Sequence, residues 1–142
     1  MNNDIFQLFV YGSLRSGFRN PAYQYLARYF RLVGDATVKG KLYDMGQYAA
    51  AVASDEDRFI HGELYEIKEP MEFDWAIAQL DDYEGINVEA GEISLYKREV
   101  ANAYLNADER KTWIYWFNGE TAGNPEVMSG DMMQYLQQKN NP

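Results

Sequence analysis

The sequence predicts one mixed α+β domain whose sheet is largely antiparallel and barrel-like, with short helices at its flanks. Three observations lead there. The apolar segments are short, and several alternate with period two, as half-buried strands do. Turns rather than helices separate most of them. Only two longer stretches carry helical spacing, so only two segments are available as crossovers. The 142 residues fit about one domain, taken as 1–142, and are enough to bury a core without disulfides or a metal.

Along the chain, Ile5 to Val10 is an apolar run with β-branched and aromatic members, read as a buried strand ending at Tyr11-Gly12. Gly12-Ser13-Leu14-Arg15-Ser16-Gly17 is a turn-rich loop. Asn20-Pro21 reads as an N-cap followed by proline at the first helical position, and Ala22, Tyr25, Leu26 and Tyr29 carry that helix to about Phe30. Asp35 to Tyr43 alternates as one half-buried strand, and Ala49 to Ala53 forms another short one. Asp55-Glu56-Asp57 is a solvated turn, and Phe59 to Ile67 is a strand that stops before Pro70. From Met71 to Leu80 the period changes: Phe73, Ile77 and Leu80 share a helical stripe, with Gly85 as a left-handed stop. Ile93 to Ala101 and Thr112 to Phe117 are strands, Asn118 to Gly130 is a loop, and Asp131 to Gln138 is a closing helix.

Composition excludes several function classes. The chain has no cysteine, so disulfide frameworks, thiol catalysis and thiolate metal sites are out. A formal net charge of −9 repels phosphate backbones and anionic lipid, so neither nucleic acid nor membrane is an expected partner. Its plainest meaning is solubility. No apolar stretch approaches the roughly 18 residues of a membrane helix, and the start lacks the basic and apolar regions of a signal peptide. The expected compartment is the cytoplasm.

Local motifs are weak one at a time. His61 is the single histidine, placed within a strand, and cannot build a typical zinc or iron site alone. Asp81, Asp82 and Glu84 lack the ligand count of a calcium loop. No metal is therefore expected. Ser13 has Arg15 where a nucleophile elbow needs its second glycine. Gly12 to Gly17 has the glycine spacing of a phosphate loop, but Phe18-Arg19 replaces the required Lys-Ser/Thr. Such a loop between strand and helix can still offer backbone N–H groups to a carboxylate, although alone it reads as a simple turn. Glu84 alone reads as a solvated acid near a helix end.

Taken together, two spans resemble the gamma-glutamylcyclotransferase-like family. They are Phe9-Val10-Tyr11-Gly12-Ser13-Leu14-Arg15 and Leu80-Asp81-Asp82-Tyr83-Glu84-Gly85. Further landmarks follow in order: Gly40-Lys41-Leu42-Tyr43-Asp44, Gly62-Glu63-Leu64-Tyr65, Tyr96-Lys97-Arg98 and Ser129-Gly130-Asp131. The resemblance spans nearly the whole chain. It implies a small mixed, largely antiparallel β-barrel with flanking short helices and a cavity at one barrel end. There Tyr11, Gly12, Ser13 and Leu14 would bind the glutamyl part of a small γ-glutamyl substrate, with Glu84 facing it. Tyr48-Ala49 stands where the family often has Tyr-Pro, which bears on local geometry more than on chemistry.

The implied reaction is cyclisation of a γ-glutamyl amide to 5-oxoproline. Glu84 would take a proton from the substrate ammonium and return one to the leaving amine, and backbone N–H groups of Gly12 to Leu14 would hold the carboxylate or the oxyanion. No cofactor is needed. Tyr115, at period-two spacing with Trp113 and Phe117, is either a pocket residue or a barrel-wall aromatic, and the wall carries more weight. Arg98 either pairs with acids near the site or simply rides on its strand. Asn118 to Pro125 is a candidate for setting substrate choice. Two alternatives stay open: a non-catalytic carboxylate-binding module of the same fold, and a related amide-processing hydrolase or acyl transferase. The leaving amine and the oligomeric state are not encoded in any motif.

Overall fold

The computed structural model describes residues 5–12, 21–46, 48–83 and 95–140. Among them run β1 (Gln7–Val10), α1 (Pro21–Tyr29), β2 (Phe30–Lys39), β3 (Lys41–Asp44), β4 (Ala49–Val52), β5 (Phe59–Ile67), α2 (Phe73–Tyr83), β6 (Tyr96–Leu105), β7 (Asp108–Phe117) and α3 (Met132–Asn140). A 3-10 turn, Pro70–Glu72, leads into α2. Five strands close a barrel in the order β1-β5-β2-β6-β7, and β3-β4 form a separate two-stranded sheet. Barrel pairings are antiparallel except at the seam, where β1 runs parallel to β7 with Leu8 opposite Trp113. The expected fold class is the observed one.

Alternation along the strands divides the apolar residues into two layers. Leu8, Val10, Tyr65, Ile67, Tyr96, Tyr115 and Phe117 pack with Leu26 of α1 and with Phe73, Ile77 and Leu80 of α2. Phe9, Tyr11, Ala36, Val38, Leu64, Ala103, Ile114 and Trp116 form the other layer, to which α3 adds Met132. A barrel this narrow encloses side chains only, so the layer packed against α1 and α2 is the outer one and the second is the interior. Among the described residues no helix is long and apolar enough to cross a membrane.

Several boundaries differ from the sequence expectation. The stretch Asp35 to Tyr43 is two strands, because the chain leaves the barrel at Gly40, whose N–H donates to the Arg58 carbonyl, and continues in the second sheet. β2 also starts earlier, directly after α1, and carries a bulge between Leu32 and Gly34 that interrupts the alternation. β6 starts later than expected and runs on to Leu105, β7 starts earlier, at Asp108, and the two form a hairpin turned at Asn106, which adopts a positive φ of 58°; asparagine tolerates that conformation well. The loop after β7 is tied along β3 by Val127 N–H to the Leu42 carbonyl and Asp44 N–H to the Pro125 carbonyl. α3 starts one residue later than expected, its Gln134 N–H capped by the Asp131 carboxylate at 3.2 Å.

Candidate active site

The end of β1 and the last described turn of α2 meet over one row of side chains on the outer face. Val10 pairs with Glu63, and Tyr115 pairs with Arg98. Val10 and Tyr115 each lie two residues beyond the Leu8–Trp113 pair of the parallel seam. Glu63, Val10, Tyr115 and Arg98 thus share one face across four strands.

Tyr115 joins the two elements. It is buried, and its hydroxyl donates to Asp81 Oδ1 of α2 at 2.8 Å. Its backbone carbonyl accepts the Tyr11 hydroxyl, from the residue that follows β1. Arg98 completes the cluster with a fork onto Asp81, Nε at 2.8 Å and a terminal nitrogen at 3.0 Å, while its guanidinium stacks 4.4 Å over the Trp113 ring. Asp81 is 8% exposed and sits near a helix C-terminus, where the helix dipole disfavours negative charge. The fork and the phenol offset that placement.

On the far side of Val10, the Tyr65 hydroxyl donates to Glu63 Oε1 at 3.0 Å. Burial, then the Glu63 carboxylate and the Tyr23 hydroxyl, push the Tyr65 phenol far above its ordinary pKa, so it stays a donor. Gly62, one residue earlier, admits no side chain: a Cβ there would lie 2.2 Å from the Val10 carbonyl oxygen and 2.8 Å from the Phe9 ring. The glycine of Gly62-Glu63-Leu64-Tyr65 thus lets β1 approach β5.

Gly12 lies beside Ala49, since a Cβ built on it would sit 3.5 Å from that of Ala49. The Tyr96 hydroxyl donates to the Ala49 carbonyl at 2.6 Å, and the rings of Tyr48, Tyr96 and Phe117 pack edge-to-face or tilted, with centroids 5.8–6.3 Å apart. β4 still begins at Ala49, paired with Asp44, so alanine in place of the usual proline leaves the strand start intact.

Of the residues singled out by sequence, Tyr11, Gly12 and Tyr115 come together here. Ser13, Leu14 and Glu84 lie outside the described residues. Arg98 pairs with an acid of the cluster. His61 is an exposed strand residue whose N–H donates to the Gly130 carbonyl. No group of three His, Cys, Asp or Glu side chains among the described residues is placed to hold a metal ion. Sequence reasoning passed over Asp81 and Glu63. Asp81 had a readable signal: it falls at i+4 from Ile77 on the apolar stripe, where an acid needs a buried partner.

Comparison with known proteins gives a consistent picture. The family model described as "Gamma-glutamyl cyclotransferase, AIG2-like" matches residues 8–134. No curated protein sequence matches the chain. Among solved structures, YkqA from Bacillus subtilis is similar with a TM-score of 0.68 and 26% identity over 96% of this chain, which spans only 44% of YkqA. The protein ytfP from Escherichia coli matches with a TM-score of 0.60 and 26% identity, covering 91% of this chain and 97% of that one. An AIG2-like protein from Mus musculus shares the fold, with a TM-score of 0.66 and 20% identity over 89% and 88% of the two chains.

Proposed function

Because this chain belongs to the gamma-glutamyl cyclotransferase, AIG2-like family, we propose that it releases 5-oxoproline from a γ-glutamyl amide or peptide, with Glu84 as general acid and base. The observation that carries this reading is the Tyr115 junction, which ties the residue after β1 to the last described turn of α2. The proposed donors at Gly12 to Leu14 and the proposed acid at Glu84 follow directly from those two anchored ends.

In the proposed reaction the free α-amine attacks the side-chain carbonyl and closes a five-membered lactam. Glu84 removes one ammonium proton, which frees the amine to attack, and delivers it to the departing nitrogen; the second proton of the ring nitrogen then passes through Glu84 to the released amine, which leaves as an ammonium, so the carboxylate is regenerated and no cofactor enters the cycle. A carboxyl begins near pKa 4.3 and benefits from partial burial, which raises it toward the working pH. N–H donors aimed at the developing oxyanion contribute about 2.7–4 kcal/mol each, and holding the substrate folded supplies the intramolecular advantage. The substrate is a small molecule, and Asn118 to Pro125 is the proposed determinant of its amine half.

The test is incubation with a panel of γ-glutamyl peptides, γ-glutamyl-ε-lysine and γ-glutamyl amines, with product identified by mass spectrometry. Expected is 5-oxoproline, and its loss by at least a thousandfold in Glu84→Gln with unchanged circular dichroism. Glutamate as product would make the protein a hydrolase. Calorimetric binding without turnover would make it a binding module. Full activity of Glu84→Gln would remove that residue from the mechanism.

A further inference from the structure

Beside the Tyr115 junction lie three aromatic rings that the proposed reaction does not use. Phe117 stands two residues beyond Tyr115 on β7 and pairs with Tyr96 of β6. Tyr48 packs against both, with ring centroids 5.9 Å from Phe117 and 6.3 Å from Tyr96. The three differ in exposure. Tyr96 and Phe117 are buried, whereas 39% of Tyr48 is open to solvent. The outer ring is thus backed by two inner ones and offers the rest of its surface to a ligand.

Local structure fixes Tyr48. It closes a tight turn in which the Met45 N–H donates to the Tyr48 carbonyl at 3.0 Å. Gly46 supplies a positive φ of 96° within that turn, and its N–H donates to the Asp44 carboxylate at 2.8 Å. A ring ordered in advance loses little entropy when a ligand settles on it.

Two neighbours tie the rings to the candidate site. Ala49, next in the chain to Tyr48, lies against Gly12, the first of the residues proposed to hold the glutamyl half, and its carbonyl accepts the Tyr96 hydroxyl at 2.6 Å. Gly119 rests on Phe117, since a Cβ built on it would come 2.9 Å from the tip of that ring. The 118–125 segment, proposed to choose the amine half, therefore starts on the same rings.

We propose that Tyr48 determines specificity for the amine half, and that the preferred substrates are γ-glutamyl amides whose amine half carries an aromatic ring. This rests on the γ-glutamyl reading above. With the glutamyl half at Gly12, the amine half comes within reach of Tyr48, one residue from Ala49. A phenyl group there buries apolar surface and adds an offset or edge-to-face contact with the exposed ring. A methyl group gains a fraction of this, and an acidic side chain meets the negative face of the ring.

The test compares γ-glutamyl-L-phenylalanine with γ-glutamyl-L-alanine, which differ by one phenyl ring. Release of 5-oxoproline gives kcat/KM, and calorimetry on Glu84→Gln gives Kd for the intact compounds. Expected is a preference of about fivefold or more for the phenylalanine compound by both measures. Tyr48→Phe should keep it, and Tyr48→Ala should reduce it to about twofold or less, with unchanged circular dichroism. A role in folding alone would lower both compounds together and leave their ratio as it was. Equal handling of the two compounds before any change at Tyr48, a preference that survives Tyr48→Ala, or one already lost in Tyr48→Phe overturns the inference and leaves the activity standing. Ring-dependent binding without 5-oxoproline release removes the activity and keeps the ring site. Neither binding nor release removes both.

Discussion

Asp81 is held by three donors from two residues, and the consequences of removing each differ. Arg98→Ala leaves a buried carboxylate short of its countercharge and should cost about 3 kcal/mol. Arg98→Lys should recover only part of that, since one ammonium cannot reproduce a planar fork. Tyr115→Phe removes a single donor while Arg98 remains, and should cost about 1 kcal/mol. Urea unfolding midpoints at constant slope rank the three variants; equal losses for Arg98→Ala and Tyr115→Phe would contradict this ordering. Gly62→Ala drives a methyl group into the Val10 carbonyl and should cost about 1–3 kcal/mol, displacing the strand that leads to Tyr11. At this scale the sequence was legible unevenly. Gly62 stood out through motif order, whereas the role of Asp81 needed its partners, which sit 17 and 34 positions away.

One acid of β3 holds the side chains of two α3 residues. Asp44 is buried beside that helix and accepts hydrogen bonds from the Tyr135 hydroxyl and Lys139 Nζ, each at 2.9 Å, and from the Gly46 N–H at 2.8 Å. Burial alone would raise its pKa, but these donors outweigh burial, and the carboxyl ends below its ordinary value. A depressed folded-state pKa means that the stabilisation is complete above the unfolded value, near 3.9, and is lost as pH falls through the folded one. Protection of α3 amides, taken relative to their intrinsic exchange at each pH, should therefore fall on acidification below about pH 4. In Asp44→Asn it should already be low at neutral pH and change little with acid. Elements were legible where local period and packing agree: β5 runs from Phe59 to Ile67 and α1 starts at Pro21, as the pattern implies. They were illegible where a tertiary choice overrides the period. The alternation passes through Gly40 without marking that the chain changes sheets. The charged run Asp108-Glu109-Arg110-Lys111 hides the first half of β7, because its partner is β6 and much of it faces water.

For the whole molecule, the mixed barrel was legible from short alternating strands and few crossovers, but the strand order was not. Nothing in local sequence says that β1 lies between β5 and β7, or that β5 separates it from β2. The two layers follow from that order: the outer one seats α1 and α2 and frames the Tyr115 junction, and the inner one is filled by Phe9, Leu64, Ile114 and their neighbours.

The parallel seam at Leu8 and Trp113 joins the first strand to the last, and this has a meaning for biosynthesis. While the chain is being made, β1, β2 and β5 can assemble into an open ribbon with unpaired backbone on both sides, but the ring stays broken until the β6–β7 hairpin has cleared the ribosome. Nascent chains stalled before that hairpin should remain protease-sensitive, and those stalled late enough to release it should become resistant in one step. Gradual protection with length would mean that the early strands are stable without the ring. Until then the newborn chain carries unpaired strand edges, which are templates for pairing with another chain.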